Sequence, residues 1–278
     1  AHESFEKLGD LGTDLAWGIA ELDDLVGGIR RGTLYTIGAK TNHGKTNFAL
    51  NAAWRALVKG KRVIYNGVEN LDHIWPRIAA IQTDKPLSYI TKVDQYDEEV
   101  RNEAESMFGD IKRYREHLRI VPGVSNTELR KICASFKPDM VILDYIQRYA
   151  YKHGLGKSGL MTHDIGRAIS GFQDVILDHK AAGLMLSQFT RQSEMVRGRE
   201  PQLEDLKESG EIENMSDVVL LLWWKARETR LNGSDSEDMV RLIVAKNRFG
   251  TTDQLRFRIN PESLKVGSLR PEVEGESP

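Results

Sequence analysis

Apolar residues in this chain fall into two alternating textures. Short, nearly unbroken apolar runs occur at Thr33–Gly38, Arg62–Val68, Leu118–Val121, Met140–Asp144, Leu184–Ser187 and Val218–Trp223. Runs of that length with β-branched and aromatic residues predict strands buried on both faces. Between them the apolar positions spread to a helical spacing. The stretch Asn47–Val58 is Ala-rich and closed by Gly60, which predicts a helix with a C-terminal stop. Helical patterns also cover Thr127–Phe136 and Asp164–Lys180. Strands alternating with helices predict an α/β fold with a mostly parallel sheet covered on both faces. After about Glu237 the texture changes. Met239–Ala245 and Gln254–Ile259 are strand-like and separated by a turn containing Gly250, so an antiparallel hairpin is expected at the sheet edge. There is no internal repeat or low-complexity tract. The expected organisation is an N-terminal arm or linker over residues 1–16, one domain over 17–269, and a flexible acidic tail over 270–278.

Composition narrows the class. At 278 residues the chain is long enough for one large domain with a substantial core. Its 40% hydrophobic content and eight prolines exclude global disorder and a collagen-like repeat. The single cysteine, Cys133, excludes an internal disulfide and a Cys-rich zinc module, and fits a reduced, cytoplasmic setting. No apolar run is long enough for a membrane span, and no signal-peptide pattern opens the chain. The start at Ala1, without Met, fits a processed or excised terminus. The 39 Lys and Arg against 41 Asp and Glu lack the basic excess usual in a nucleic-acid binder.

Candidate chemistry begins directly after the first predicted strand. Ala39-Lys40-Thr41-Asn42-His43-Gly44-Lys45-Thr46 opens a helix and matches the P-loop pattern, with Ala in place of the first Gly. Gly44 lets backbone N–H groups turn inward around phosphates. Lys45 supplies a point charge to the terminal phosphates, and the Thr46 hydroxyl suits Mg²⁺. His43 reads as an exposed loop residue rather than a catalytic group. The Met140–Asp144 run is an apolar strand ending in an acid, so Asp144 is the candidate metal carboxylate of a Walker B strand. Asp139 stands at the wrong end of that strand and reads as a turn residue. Glu69 follows the second strand. In a parallel sheet it would face the same ligand crevice, as a group positioning the attacking water, but an acid at a helix N-terminus fits the spacing equally well. At least one of Trp223 and Trp224 reads as core.

Several further blocks resemble one family, the C-terminal RecA-like ATPase domain of the DnaB-type hexameric replicative helicases. Gly18-Ile19-Ala20-Glu21-Leu22-Asp23 through Gly27-Gly28, followed by Arg31-Gly32-Thr33-Leu34, is similar to that family's lead-in to its P-loop. Asp144-Tyr145-Ile146-Gln147 resembles its Asp-Tyr-Leu-Gln, and Ser187-Gln188-Phe189-Thr190-Arg191 its Ser-Gln-Leu-Asn-Arg. The run from Asp205-Leu206-Lys207-Glu208-Ser209-Gly210 to Glu213, and Ala245-Lys246-Asn247-Arg248, are the more discriminating matches. The resemblance implies a RecA-like P-loop NTPase core that binds ATP or another NTP with Mg²⁺ through residues 39–46 and Asp144. It implies Glu69 as the catalytic glutamate, Gln188 as a γ-phosphate sensor, and Lys246 and Arg248 as cations reaching a neighbouring subunit's nucleotide. A homo-oligomer, expected as a hexamer, translocating 5′→3′ on single-stranded DNA and unwinding duplexes follows from the same likeness. The competing readings are a RecA- or RadA-like recombinase and a non-motor ATP-binding switch.

DNA contacts are expected from Lys207, Glu208 and Gly210, where Lys207 replaces the family's usual Arg and would make a monodentate contact. The acid-free stretch Arg148–Gly159, with Arg148, Lys152 and Lys157, reads as a mobile loop that contacts a strand by charge and stacking. The family's usual N-terminal collar has no counterpart of sufficient length, so the expectation is an excised motor domain or a compact viral or plasmid-borne helicase. For a viral source the setting would be the host cytoplasm. A primase or loader partner cannot be identified from these residues.

Overall fold

A computed structural model describes residues 14–92, 111–154, 161–195, 198–207, 209–228 and 238–269, with positions 98, 101–102 and 109 between them. Nine strands form one sheet: β1 (Leu34–Ala39), β2 (Val63–Gly67), β3 (Leu118–Pro122), β4 (Met140–Asp144), β5 (Ala182–Gln188), β6 (Val218–Trp223), β7 (Met239–Asn247), β8 (Gln254–Ile259) and β9 (Val266–Gly267). Their spatial order is β3-β2-β4-β5-β1-β6-β7-β8-β9. The six strands from β3 to β6 are parallel, and β7, β8 and β9 add antiparallel pairs at one edge. The predicted hairpin is therefore present, with β9 as a short addition.

Alternation along the strands divides the core in two. Tyr35, Ile37, Tyr65, Ile142, Leu184 and Leu220 belong to one cluster, packed with the Lys45–Val58 and Ile74–Thr83 helices. Leu34, Ile64, Val141, Leu143, Met185 and Leu221 belong to the other, packed with the Asn126–Phe136, Ile146–Lys152 and Met161–Asp178 helices. Successive residues of a strand face opposite sides, so an unbroken apolar run feeds both clusters. Both Trp223 and Trp224 are buried.

The helices Ala20–Val26, Ile74–Thr83 and Leu87–Thr91 are among those that the pattern did not single out. Pro76 in the first turn of the second is compatible with a helix because the N–H groups there lack intrahelical acceptors. One expectation is corrected. Arg148 and Lys152 lie in a helix, Ile146–Lys152, and not in a loop. Ile146, Tyr149 and Ala150 recur at helical spacing and are buried, a signal outweighed in the sequence by the glycines that follow. Residues 155–160, including Lys157, lie outside the described residues, as do 1–13, 208 and 270–278.

Candidate functional site

The carboxyl ends of β2, β4, β5, β1 and β6 open onto a cavity of about 490 Å³. In open α/β sheets this edge is where ligands bind. Thr41, Asn42, Gly44, Lys45 and Thr46 line it from the loop after β1. Gly44 holds φ +85°, left-handed backbone that any side chain would strain, and serves as N-cap of the Lys45–Val58 helix. A Cβ there would meet only ordinary contacts with Ile259 and Trp224, so the requirement for glycine is conformational. The helix N-terminus thus meets the cavity with its positive dipole end, an arrangement suited to phosphate.

Three of the eight loop residues do not line the cavity. Ala39 is wholly buried in β1. Lys40 is turned to Glu228, Nζ to Oε1 2.5 Å, with side chains only 11% and 3% exposed. Burial works to raise the Glu228 pKa, but Lys40 and the Gly198 N–H, which donates to its other oxygen at 3.0 Å, together hold it below the usual carboxylate value. His43, expected to be exposed, is buried. Its Nδ1 accepts from Trp224 N–H at 3.3 Å, and its own N–H donates to Lys40 O at 3.2 Å. Desolvation lowers its pKa to about 4. The charge of Glu228 opposes this, and Lys40, Lys45 and Arg227 reinforce it. Lys40 and His43 therefore brace the loop with their side chains rather than present them to a ligand.

Asp144 meets the loop as the sequence predicts. Its Oδ2 accepts from Thr46 Oγ1 at 2.7 Å and also from the Tyr65 hydroxyl. Burial, and then the charge of Asp144, pushes the Tyr65 pKa far above its ordinary value, so Tyr65 stays a donor. Sequence reasoning missed Tyr65. It reads as an apolar strand position, and only the register pairing Tyr65 with Ile142 and Gly67 with Asp144 brings its hydroxyl to the acid. No group of three His, Cys, Asp or Glu side chains gathers for a metal among the described residues. A Thr hydroxyl beside one carboxylate fits Mg²⁺, which keeps waters and takes phosphate oxygens rather than an all-protein cage.

Glu69 also lines the cavity, and Arg148 pairs with it, Nε to Oε1 2.8 Å, both about half exposed. An expected catalytic acid and an expected DNA contact thus meet each other. Gln188 is level with Ala39 on the adjacent strand, and its Nε2 donates to Thr41 Oγ1 at 2.7 Å. Arg77, a second residue the sequence did not reveal, lines the cavity with Nη1 donating to Asn47 Oδ1 at 2.8 Å.

Lys246 and Arg248 do not join this site. Arg248 binds Asp217 Oδ1 and Asn214 O, each at 2.8 Å, and Lys246 donates to Glu213 O. Burial first, then the nearby Arg248, lowers the Lys246 pKa. Asp217 Oδ2 accepts from Leu34 N–H, the first residue of β1, whereas the phosphate loop follows Ala39, the last. Five strand steps at about 3.3 Å separate the two ends by roughly 16 Å, beyond the reach of one side chain.

Lys152 is spent on Pro122 O. Lys207 is half-buried, and Gly210 is exposed near the start of the Ser209–Met215 helix. Glu208, like Lys157, lies outside the described residues. No described helix is long and apolar enough to cross a membrane.

A buried strand, a glycine-pivoted loop and a helix N-terminus, facing a carboxylate across a parallel sheet, define a RecA-like P-loop core. The chain belongs to the family of DnaB-like helicase C-terminal domains, whose profile matches residues 14–267. The replicative DNA helicase DnaC of Bacillus subtilis is 24% identical over 282 residues, covering 96% of this chain and 60% of that protein. The replicative DNA helicase DnaB of Leifsonia xyli is 28% identical, over 93% of this chain and 57% of its own length. The chain thus spans about 60% of the length of these relatives. In fold it is similar to a separately solved ATPase domain, with TM-score 0.81, 21% identity and 96% of each chain covered. A DnaB-like replicative helicase solved for its interactions with primase gives TM-score 0.79 and 22% identity, over 92% of this chain and 62% of that one.

Proposed function

We propose that this chain is the ATP- and Mg²⁺-dependent motor of a replicative-type DNA helicase. It acts as a ring-forming homo-oligomer, a hexamer by family likeness, moves 5′→3′ on single-stranded DNA and separates duplexes. Residues 17–269 form the motor with Asp14 and Leu15 packed onto it, residues 1–13 are a linker toward a neighbour, and 270–278 a tail. The setting is the cytoplasm, of the host for a viral source. Family membership supports the class of activity. The observation that carries the subunit arrangement is the separation of Lys246 and Arg248 from their own phosphate loop, since cations of that kind serve a nucleotide only from the adjoining subunit.

In the proposed mechanism, backbone N–H groups of the loop and Lys45 hold the phosphates, while Thr46 and Asp144 would hold Mg²⁺, which neutralises phosphate charge when bound. Glu69 orients and deprotonates the attacking water. Gln188 meets the terminal phosphate from its position beside Thr41. Arg248 of one subunit stabilises the charge that develops on the phosphoryl group held by the next, an effect worth about 10³–10⁵ in rate. DNA contacts fall to Lys207, Glu208, Gly210, Lys157, Arg148 and Lys152. The last two would first have to leave Glu69 and Pro122 O. The likeness to a helicase studied with primase makes a primase the first partner to test.

The deciding experiment measures NTP hydrolysis with and without oligo-dT for wild type, Lys45→Ala, Arg248→Ala and their mixture. Each variant alone is expected to lose hydrolysis. The mixture should regain part of it, at interfaces pairing an intact loop with an intact Arg248. Mixed oligomers with no recovery would defeat the shared site. Strand exchange without strand displacement would defeat the helicase reading.

A further inference from the structure

One buried amide holds the end of β5 against the segment that carries Lys207. Phe189 and Leu206 form an antiparallel bridge, and Thr190 N–H donates to Asp205 O at 2.8 Å. Lys207 N–H donates to Gln188 O at 3.3 Å. Leu206 lies so close over β1 that a Cβ on Gly38 would stand 2.4 Å from its Cδ2, which ties this segment to the strand feeding the phosphate loop. Gln147, 6% exposed, sits at the junction. Its Oε1 accepts from Gln188 N–H at 3.1 Å. Its Nε2 donates to Ser187 Oγ at 2.8 Å and to Lys207 O at 3.5 Å.

The amide therefore spends donors and acceptor on two chain segments at once. Buried polar groups resist losing partners, because an unmade bond leaves the full desolvation cost of about 1–3 kcal/mol. A shift of Gln188 is thus opposed unless the Lys207 segment shifts with it. Gln188 in turn holds Thr41 in the phosphate loop through its side chain. The cavity and the Lys207 segment are linked through Gln188 and Gln147.

We infer that Gln147 is a positioning residue that couples nucleotide occupancy to the placement of Lys207, and so to the grip on single-stranded DNA. The assignment rests on the helicase reading above. It requires that nucleotide state change DNA affinity, and that Gln147 carry that change. Such couplings amount to about 5–150-fold in affinity and are reciprocal.

The test compares wild type with Gln147→Met, which keeps length but loses the bonds, and Gln147→Asn, which keeps the amide but is too short to span both segments. Affinity for fluorescein-labelled oligo-dT is measured by anisotropy with a non-hydrolysable ATP analogue and with ADP, alongside hydrolysis without DNA and the melting temperature. Both variants are expected to bring the affinity ratio close to one while retaining DNA-free hydrolysis. Ser187→Ala, which leaves the Gln188 and Lys207 bonds in place, should keep the ratio. Variants that retain the wild-type ratio would overturn the assignment. So would losses of hydrolysis and melting temperature that leave the ratio intact, since they would make Gln147 a packing residue only. A wild-type ratio of one removes the helicase reading and the assignment with it.

Discussion

At the residue scale the site depends on groups that never touch a ligand. Tyr65 donates to the same Asp144 oxygen as Thr46, and its raised pKa keeps it a donor throughout the working pH range. Outer partners of a metal carboxylate typically change metal affinity by about 10–100-fold. Tyr65→Phe should therefore raise the Mg²⁺ concentration for half-maximal hydrolysis by about that factor, with little change in NTP affinity. A titration that overlays wild type would count against this role.

His43 makes a second residue-scale prediction. With its folded pKa lowered to about 4 from an ordinary 6.5, the unfolded chain binds a proton in that window that the native chain does not. Stability is then level above about pH 6.5 and falls as the pH drops toward 4. The loss reaches about 2 kcal/mol near pH 5. His43→Asn places an acceptor where Nδ1 meets Trp224 N–H and cannot take the proton. Urea unfolding at about pH 7.5 and pH 5 should show a smaller stability drop in the variant. Equal drops in both proteins would assign the acid sensitivity to other groups.

At the scale of elements, most of the fold is legible because a strand buried on both faces must be an apolar run. The run Met140–Asp144 and the period-two burial of β7 needed no tertiary information to be seen. Gly44, Lys45 and Thr46 were legible for a similar reason, since the P-loop pattern needs those types in consecutive order. What stayed hidden depends on register and distant contact. Lys40 meets Glu228, Glu69 meets Arg148, and Tyr65 meets Asp144, each pair far apart in sequence. Local periodicity carries no record of which strand lies beside which. The Ile146–Lys152 helix was hidden differently. It spans only seven residues, and the buried spacing of Ile146, Tyr149 and Ala150 is outweighed by an outer face of Arg148, Tyr151 and Lys152 and by the glycines that follow.

At the scale of the whole molecule, near-neutral net charge is compatible with a DNA motor only when positive charge is local and repeated by symmetry. The proposed function makes oligomerisation part of the motor, and the N-terminal segment is the element to test for it. Its last described residues belong to the domain itself. Leu15 is fully buried and bridges to Ile29, while Asp14 pairs with Arg31 and Lys61. Removing residues 1–16 would therefore combine two effects, because losing a buried leucine alone costs about 2–5 kcal/mol. Deleting residues 1–13 separates them. Sedimentation should show smaller assemblies for that deletion at an unchanged melting temperature, while deletion to residue 16 should also lower the melting temperature. An unchanged sedimentation profile for the shorter deletion would place the ring contacts elsewhere, with the face that carries Lys246 and Arg248 as the next element to alter.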